Sequence, residues 1–393
     1  MTIVPSSPED QFRAKYEEQA EKIGRFNLAI FGKTGVGKST LINAFFGEDV
    51  APTGIGQPVT TDFHLYLHQS AFFGLLDTQG LEIGKDTKTL IREMKDYIDR
   101  TRKKSESEQI HVAWYCVRAS DRRFEDTEAD FIRSLHGLGL PVIVVLTQVA
   151  SREGELHSDA VALADYIASL GLPIEGGRPI SVMAAGDSWG QESHGLQELL
   201  DATFRAAPDG VASALAAAQK IDLARKRKEA ATAIGLATGA AAGIGAIPIP
   251  VADAGLIVPV QLGLMGKIAA IYGVKLETAT IAATVATAVA TAAGRGTVIG
   301  LLKLVPGAGT VVGGVISAAT AAAFTSAMGY AWATVCAQLS QGRLKGLDGA
   351  IDAKAVQELF LSELTKWLRR KPGSKSEADE EAEPADVTPQ NPA

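Results

Sequence analysis

The segment that most constrains the fold is GKTGVGKS, Gly32 to Ser39, because its closely spaced glycines dictate a turn that ordinary residues do not adopt. It satisfies G-x-x-x-x-G-K-[ST] and stands between the apolar run FNLAIF, of strand length, and STLINAFFG, of helical period. Main-chain N–H groups of such a turn and of the helix start converge on one point, where a phosphate is favoured by hydrogen bonds and by the helix dipole. Lys38 is placed to reach the β- and γ-phosphates and Ser39 to bind magnesium. The loop therefore assigns Gly32, Lys33, Thr34, Gly35, Val36, Gly37, Lys38, Ser39 and Thr40 to a nucleotide.

A second element, FFGLLDTQG, ends a strand on Asp77, where a carboxylate can hold the metal through water. Gly80 can offer its N–H to the γ-phosphate, a contact that only a triphosphate makes. Between the two lies GIGQPVTTDFHLY, a loop punctuated by glycine and proline that runs into a strand. Thr60 or Thr61 should complete the magnesium shell; Thr60 is favoured because it closes the loop, and the alternative is that both threonines simply begin the strand. The expected metal ligands are thus Ser39, Thr60 and Asp77, and the residues expected to act on the triphosphate are Lys38, Thr60 and Gly80.

Short apolar runs (FNLAIFG, FHLYLH, FFGLLD, VAWYCV, PVIVVLT, PISVMA) alternate with helical stretches near 86–103, 123–136, 158–170 and 196–206. This alternation predicts a doubly wound α/β domain over 25–207, with a mostly parallel sheet covered on both faces. Residues 1–24 read as a solvated helical lead-in. Their lack of a basic start followed by an apolar run gives no secretory signal, so the nucleotide-binding part is expected in the cytoplasm. A net charge of −7 without a basic aromatic stripe predicts no specific nucleic-acid partner. Cys116 and Cys336 sit in apolar runs and read as buried thiols rather than a disulfide.

The order of phosphate loop, loop threonine, DTQG and VVLTQ resembles the Era-like bacterial GTPases, over the first half of the chain. The resemblance implies a Ras-like fold, GTP as ligand and Mg2+ as cofactor, with Thr147 and Gln148 at the base. It also places Leu81 where a water-orienting glutamine stands, and leucine cannot orient water. Hydrolysis would then be slow unless a partner, a dimer or another side chain supplies the missing group. The family reads guanine with [NT][KQ]-x-D, whereas this chain has Thr147, Gln148, Val149 and Ala150. Losing the carboxylate should weaken or relax base discrimination, unless Ser151, Glu153 or a main-chain group substitutes. Ser181 to Gly186, SVMAAG, occupies the place of the second base-contacting loop. Arg122 and Arg123 read either as a solvated helix start or as a charge-neutralising finger across a homodimer.

Composition changes after Asp209. Residues 208–229 read as an amphipathic connecting helix ending in Arg225, Lys226, Arg227 and Lys228, ahead of an uncharged stretch of 23 residues, Ala230 to Ala252. Residues 230–370 predict an all-α, Ala/Gly-rich domain, and 371–393 a disordered acidic tail. Gly235, Gly239 and Gly243 line one helix face and predict a packing seam. The segments IPIPVADAGLIVPVQLGLMGKIAAIYGV and LLKLVPGAGTVVGGVISAATAAAFTSAMG resemble the YcjF-like domain of unknown function found fused to bacterial GTPases. That resemblance and the uncharged lengths imply membrane association through 230–342, at the cytoplasmic face of the inner membrane. Against it stands the small transfer energy of Ala, Gly and Thr, which suits a soluble cytoplasmic bundle. The reading that follows is a slowly hydrolysing GTP switch coupled to a helical domain. The alternatives are a non-hydrolysing nucleotide-gated membrane scaffold and a ribosome- or RNA-associated GTPase.

Overall fold

A computed structural model describes residues 7–47, 56–58, 64–68, 70–77, 87–186, 190–245, 257–292, 318–346 and 349–370. The chain divides into two compact units. One comprises Glu17–Leu223 with Ala270–Leu276; the other comprises Met1–Tyr16, Ala224–Ala269 and Glu277–Ala393. Helix α1 (Pro8–Ile23) contributes to both units.

The first unit is built on a seven-stranded mixed sheet, mostly parallel. Strand β1 (Phe26–Phe31) lies at its centre, because all six of its residues are buried and only a doubly covered strand tolerates that. Around it, β2 (Gly56–Pro58), β3 (His64–Leu67), β4 (Phe73–Asp77), β5 (Val112–Arg118), β6 (Val142–Thr147) and β9 (Ile180–Ser181) give the order β2-β3-β4-β1-β5-β6-β9. The pairs β1/β4, β1/β5, β5/β6 and β6/β9 are parallel. The pairs β2/β3 and β3/β4 are antiparallel. A separate hairpin joins β7 (Ser151–Arg152) to β8 (Glu155–Leu156) through Glu153 and Gly154, both at positive φ, as a two-residue primed turn requires.

Side-chain alternation along the strands sorts the helices. Ala29, Phe31, Tyr115, Val117, Val144 and Leu146 share one core with α3 (Thr87–Thr101), α4 (Asp126–Gly137) and α5 (Ser158–Ser169). Phe73 and Trp114 meet α2 (Lys38–Phe46): the Phe46 ring stacks on Phe73 at 3.7 Å, and Phe45 meets Trp114 edge-on at 4.8 Å. The Trp114 indole N–H donates to Thr203 Oγ1 at 3.1 Å, which ties in α6 (Leu196–Ala206). Each fully buried ring contributes roughly 1.5–3 kcal/mol of hydrophobic stabilisation, so this aromatic group fixes α2 firmly against the sheet.

Helix α7 (Ala212–Ala218) packs on β1 and β4 through its buried alanines, so this unit continues beyond residue 207. The 208–229 stretch, read as one connecting helix, is broken instead. Gln219 is fully buried and extended, and its amide closes the turn by accepting from Asp222 N at 2.7 Å and donating to Asp222 O at 3.0 Å. Helix α8 (Leu223–Gly245) starts after this corner.

The second unit is helical: α8, α9 (Ile257–Ile271), α10 (Leu276–Ala292), α11 (Ala318–Ser340) and α12 (Ala353–Leu368). Trp332 on α11 is its buried centre, donating its indole N–H to Met265 O at 2.8 Å and meeting Phe12 of α1 edge-on. Phe12 and Tyr16 are themselves buried, so α1 is not the wholly solvated lead-in that its charges suggested. The expected glycine seam is displaced. A Cβ at Gly235, Gly239 or Gly243 would meet nothing within 4 Å among the described residues, because α8 turns Ala230, Ala233, Ile234 and Ala241 inward instead. Close helix crossings lie at Gly329, where a Cβ would stand 2.8 Å from Ile234 Cγ1 and 3.1 Å from Leu264 Cδ2, and at Gly266, where one would stand 3.0 Å from Tyr16 N. Among the described residues, no helix is long and apolar enough to cross a membrane. The tail 371–393 lies outside the described residues.

Candidate functional site

The site grows from the C-terminal edge of the parallel strands. Strand β1 ends at Phe31, and Gly32 turns away at φ 131°. A Cβ there would lie 2.3 Å from the main-chain oxygen of Cys116 on neighbouring β5, so only glycine fits. Gly35 and Gly37 also take positive φ, and Gly37 caps α2. Lys38 is the first residue of α2; its ammonium donates to Gly32 O at 2.8 Å and to Lys33 O at 3.0 Å, across the mouth of the loop. Thr34, Ser39 and Thr40 are exposed at that mouth, while Leu41, Ile42, Phe45 and Phe46 anchor the helix below it.

Lys33 faces the other way. Its ammonium lies 3.2 Å from Glu125 and 3.6 Å from Glu128, the latter carboxylate being almost fully buried. Glu128 also accepts from Tyr115 OH at 3.0 Å and from Glu125 N at 2.8 Å. Burial first, and the Glu128 charge second, push the Tyr115 phenol far up, so it stays a donor. Desolvation likewise pushes the Cys116 thiol up to about 12, which leaves it unreactive at the sheet centre. Glu128 and Tyr115 escaped the sequence reading; a glutamate three residues after Glu125 at a helix start is a capping signal that gave no hint of a phosphate-loop contact.

Asp77 is the last residue of β4, in register with Ile30 of β1 and so two residues short of Gly32's position along the sheet. Thr60, Thr61, Gly80 and Leu81 lie outside the described residues. Ser39, exposed on the first turn of α2, offers a hard hydroxyl oxygen of the kind magnesium takes, and Asp77 closes β4, the strand beside β1.

The end of β6 abuts the phosphate loop. Thr147 Oγ1 donates to Val36 O, and Gln148 Nε2 donates to Gly35 O at 3.4 Å. Gln148 itself sits at φ 54°, a strained angle for a residue with a side chain. Leu146 pairs in register with Ser181, Val149 N donates to Val182 O, and Val182 N donates to Leu146 O, so the TQVA and SVMAAG segments lie side by side. Ala150 O accepts from His157 N. Glu153 caps the hairpin turn with its carboxylate 87% exposed, near Arg152. The segment Gln191–Gly195 adds contacts the sequence did not suggest. His194 exchanges two main-chain bonds with Met183, its Nε2 lies 2.9 Å from Val149 O, and Gln191 Oε1 accepts from Ser151 N at 2.9 Å.

Arg122 and Arg123 are both exposed. Arg122, at φ 48°, is engaged by Asp159 at the start of α5, and Arg118 pairs with Asp121 at 2.7 Å.

Residues 27–148 match the family model described as "50S ribosome-binding GTPase". That part of the chain is a P-loop GTPase domain of Ras-like fold. Among solved structures, the chain is similar to translation elongation factor SelB from Methanococcus maripaludis in complex with the GTP analogue GppNHp, at 18% identity over 47% of this chain and 35% of that one, TM-score 0.31. A probable GTP-binding protein EngB matches at 17% identity over 46% of this chain and 97% of that one, TM-score 0.30. A variant of Aquifex aeolicus Era bound to GDP and tetrafluoroaluminate matches at 21% identity over 47% and 57%, TM-score 0.31. The chain thus spans about a third of the elongation factor's length. No curated protein matches it.

Proposed function

We propose that this chain binds GTP with Mg2+ and hydrolyses it slowly, as a switch whose nucleotide state is passed to the helical unit. The observation that carries the reading is the phosphate loop itself: three positive-φ glycines, the Lys38 ammonium over the loop mouth, and the end of β6 clasped to Val36 and Gly35. In the reaction, Lys38 exchanges its carbonyl partners for phosphate oxygens, and the amides at the start of α2 meet the remaining charge. Ser39, Asp77 and Thr60 would hold magnesium, which would supply positive charge against that of the triphosphate. Gly80 would sense the γ-phosphate, and Thr147, Gln148 and the 181–186 loop would meet the base. With Leu81 in place of a water-orienting side chain, turnover unaided by a partner falls on a scale of roughly 10⁻⁴ to 10⁻² per second. Membrane association through 230–342 and a homodimer across Arg122 and Arg123 belong to the same proposal, as does an address at the cytoplasmic face of the inner membrane.

The experiment is calorimetric titration with GTP, ITP and ATP in the presence and absence of magnesium, followed by phosphate release with and without liposomes. Magnesium-dependent GTP binding that Lys38→Ala abolishes, with slow release of phosphate, is the expected result. Binding to no nucleotide would overturn the proposal, and tight binding with no release at all would leave a nucleotide-gated scaffold. The description of the matching family as ribosome-binding supports ribosome association as a second reading; failure to co-sediment with ribosomes at low salt removes it.

A further inference from the structure

Beside the segments assigned to the nucleotide, the first unit carries one, Gln191–Gly195, that the proposed function does not use. The carboxyl ends of β1, β6 and β9 lie along one sheet edge, where doubly wound folds take their ligands. From β1 to β6 is two strand spacings, about 10 Å, so a nucleotide held by Gly32–Ser39 extends toward 147–151 and 181–186. These two segments are joined to each other by Val149 and Val182. A third, Gln191–Gly195, then locks both. His194 pairs its N–H and C=O with Met183 while its ring reaches Val149 O, and Gln191 accepts from Ser151 N. Gly195 sits so close to Ser181 O that a Cβ would stand 2.0 Å away, and a Cβ on Gly186 would stand 2.6 Å from Gln191 O. The three segments are therefore packed main chain against main chain, with His194 and Gln191 as the side chains that bridge them.

We propose that His194 and Gln191 are positioning residues for the nucleobase: they hold the segment 147–151 against 181–183, so that a purine is met by main-chain groups of fixed position where Ala150 offers no carboxylate. This rests on the reading that the chain binds GTP. The side-chain bond from His194 Nε2 to Val149 O sits directly between the residue that enters the base loop and the position where the carboxylate is missing. Freeing Val149 O lets the Val149–Ala150 peptide rotate, which moves the base contacts and leaves the phosphate contacts of Lys38 where they are.

The test separates base from phosphate. Affinities for GTP, guanosine and inorganic tripolyphosphate are measured by calorimetry on the full chain and on His194→Ala, His194→Gln and Gln191→Ala. His194→Ala should weaken GTP and guanosine by about tenfold, the scale of one buried hydrogen bond with its unpaired acceptor, and leave tripolyphosphate unchanged. His194→Gln, whose amide reaches about as far as Nε2, should restore most of the loss, and Gln191→Ala should repeat it more weakly. Equal losses for GTP and tripolyphosphate, or none for either, would overturn the positioning role. Should His194→Ala not fold, Gln191→Ala and His194→Gln carry the same comparison. If the unaltered chain binds tripolyphosphate but neither GTP nor guanosine, the GTP reading fails instead, and this one with it.

Discussion

Replacing Gly32 and Gly35 by alanine, one at a time, separates what the phosphate loop owes to its fold from what it owes to its ligand. At Gly32 the new Cβ would lie 2.3 Å from Cys116 O, where real Cβ contacts stay above 3.0 Å, so one of two adjacent central strands must move by about 0.7 Å. Overpacking of this kind costs about 1–3 kcal/mol, and forcing alanine to a φ that only glycine takes adds about 1–2 kcal/mol. At Gly35, φ is also positive, but a Cβ meets nothing within 4 Å, so only the conformational part applies. The expected losses, about 2–5 kcal/mol for Gly32→Ala and about 1–2 kcal/mol for Gly35→Ala, are large against a domain stability of about 5–15 kcal/mol. With a urea dependence of about 2–3 kcal/mol per molar, the unfolding midpoint should fall by about 1–2 M and about 0.5 M respectively. Tryptophan fluorescence, to which buried Trp114 contributes, follows the transition in the absence of nucleotide. Equal midpoints for the two variants would refute the claim that the Cys116 carbonyl is what forbids a side chain at position 32.

Thr147→Val keeps the shape of the side chain but removes the hydroxyl that donates to Val36 O; GTP affinity by calorimetry should drop about five- to tenfold, and unchanged affinity would count against the clasp. His111 is buried, its Nδ1 accepting from Asn27 N at 2.9 Å and its Nε2 facing Glu106 O at 2.9 Å, and desolvation lowers its pKa below 6.5 despite those favourable carbonyl and carboxylate neighbours. The unfolded chain therefore takes up the proton first, so the contribution of His111 is complete above pH 6.5 and is lost as pH falls through the lower folded value; urea midpoints from pH 8 to pH 5 should show this loss, and a His111→Phe chain should lack that component. Trp332→Phe, which deletes the indole bond to Met265 O in the centre of the helical unit, should cost about 1–3 kcal/mol in unfolding titrations, whereas an unaltered midpoint would mean the bond is dispensable.

The parallel sheet was legible because β1, β5 and β6 are buried on both faces and so appear as nearly continuous apolar runs, FNLAIF, VAWYCV and VIVVLT. The phosphate loop was legible because its glycine spacing is itself the structural requirement, as Gly32 against Cys116 demonstrates. Two kinds of feature were not. The β7–β8 hairpin has strands of two residues, too short for any alternation to register. The contacts of His194 with Val149 and of Lys33 with Glu128 join residues far apart in sequence through polar atoms, and no local periodicity marks such pairs. In the helical unit, regular glycine spacing on α8 pointed to a face that is exposed, while close crossings fall at Gly266 and Gly329, which belong to no such series. Spacing tells which residues share a helix face; which face turns inward is decided by where Ile234 and Ala241 find partners.

Helix α1 has a further consequence. Phe12, near one end of the chain, fills a place beside Trp332, more than three hundred residues later. During synthesis, which proceeds from the N-terminus at about 5–20 residues per second, the sheet-bearing unit can close while the partner of Phe12 has yet to be made. That ring cannot take its place beside Trp332 until α11 leaves the ribosome, so the helical unit assembles after the sheet-bearing one, and an aromatic side chain made ahead of the whole sheet is among the final pieces to find its place.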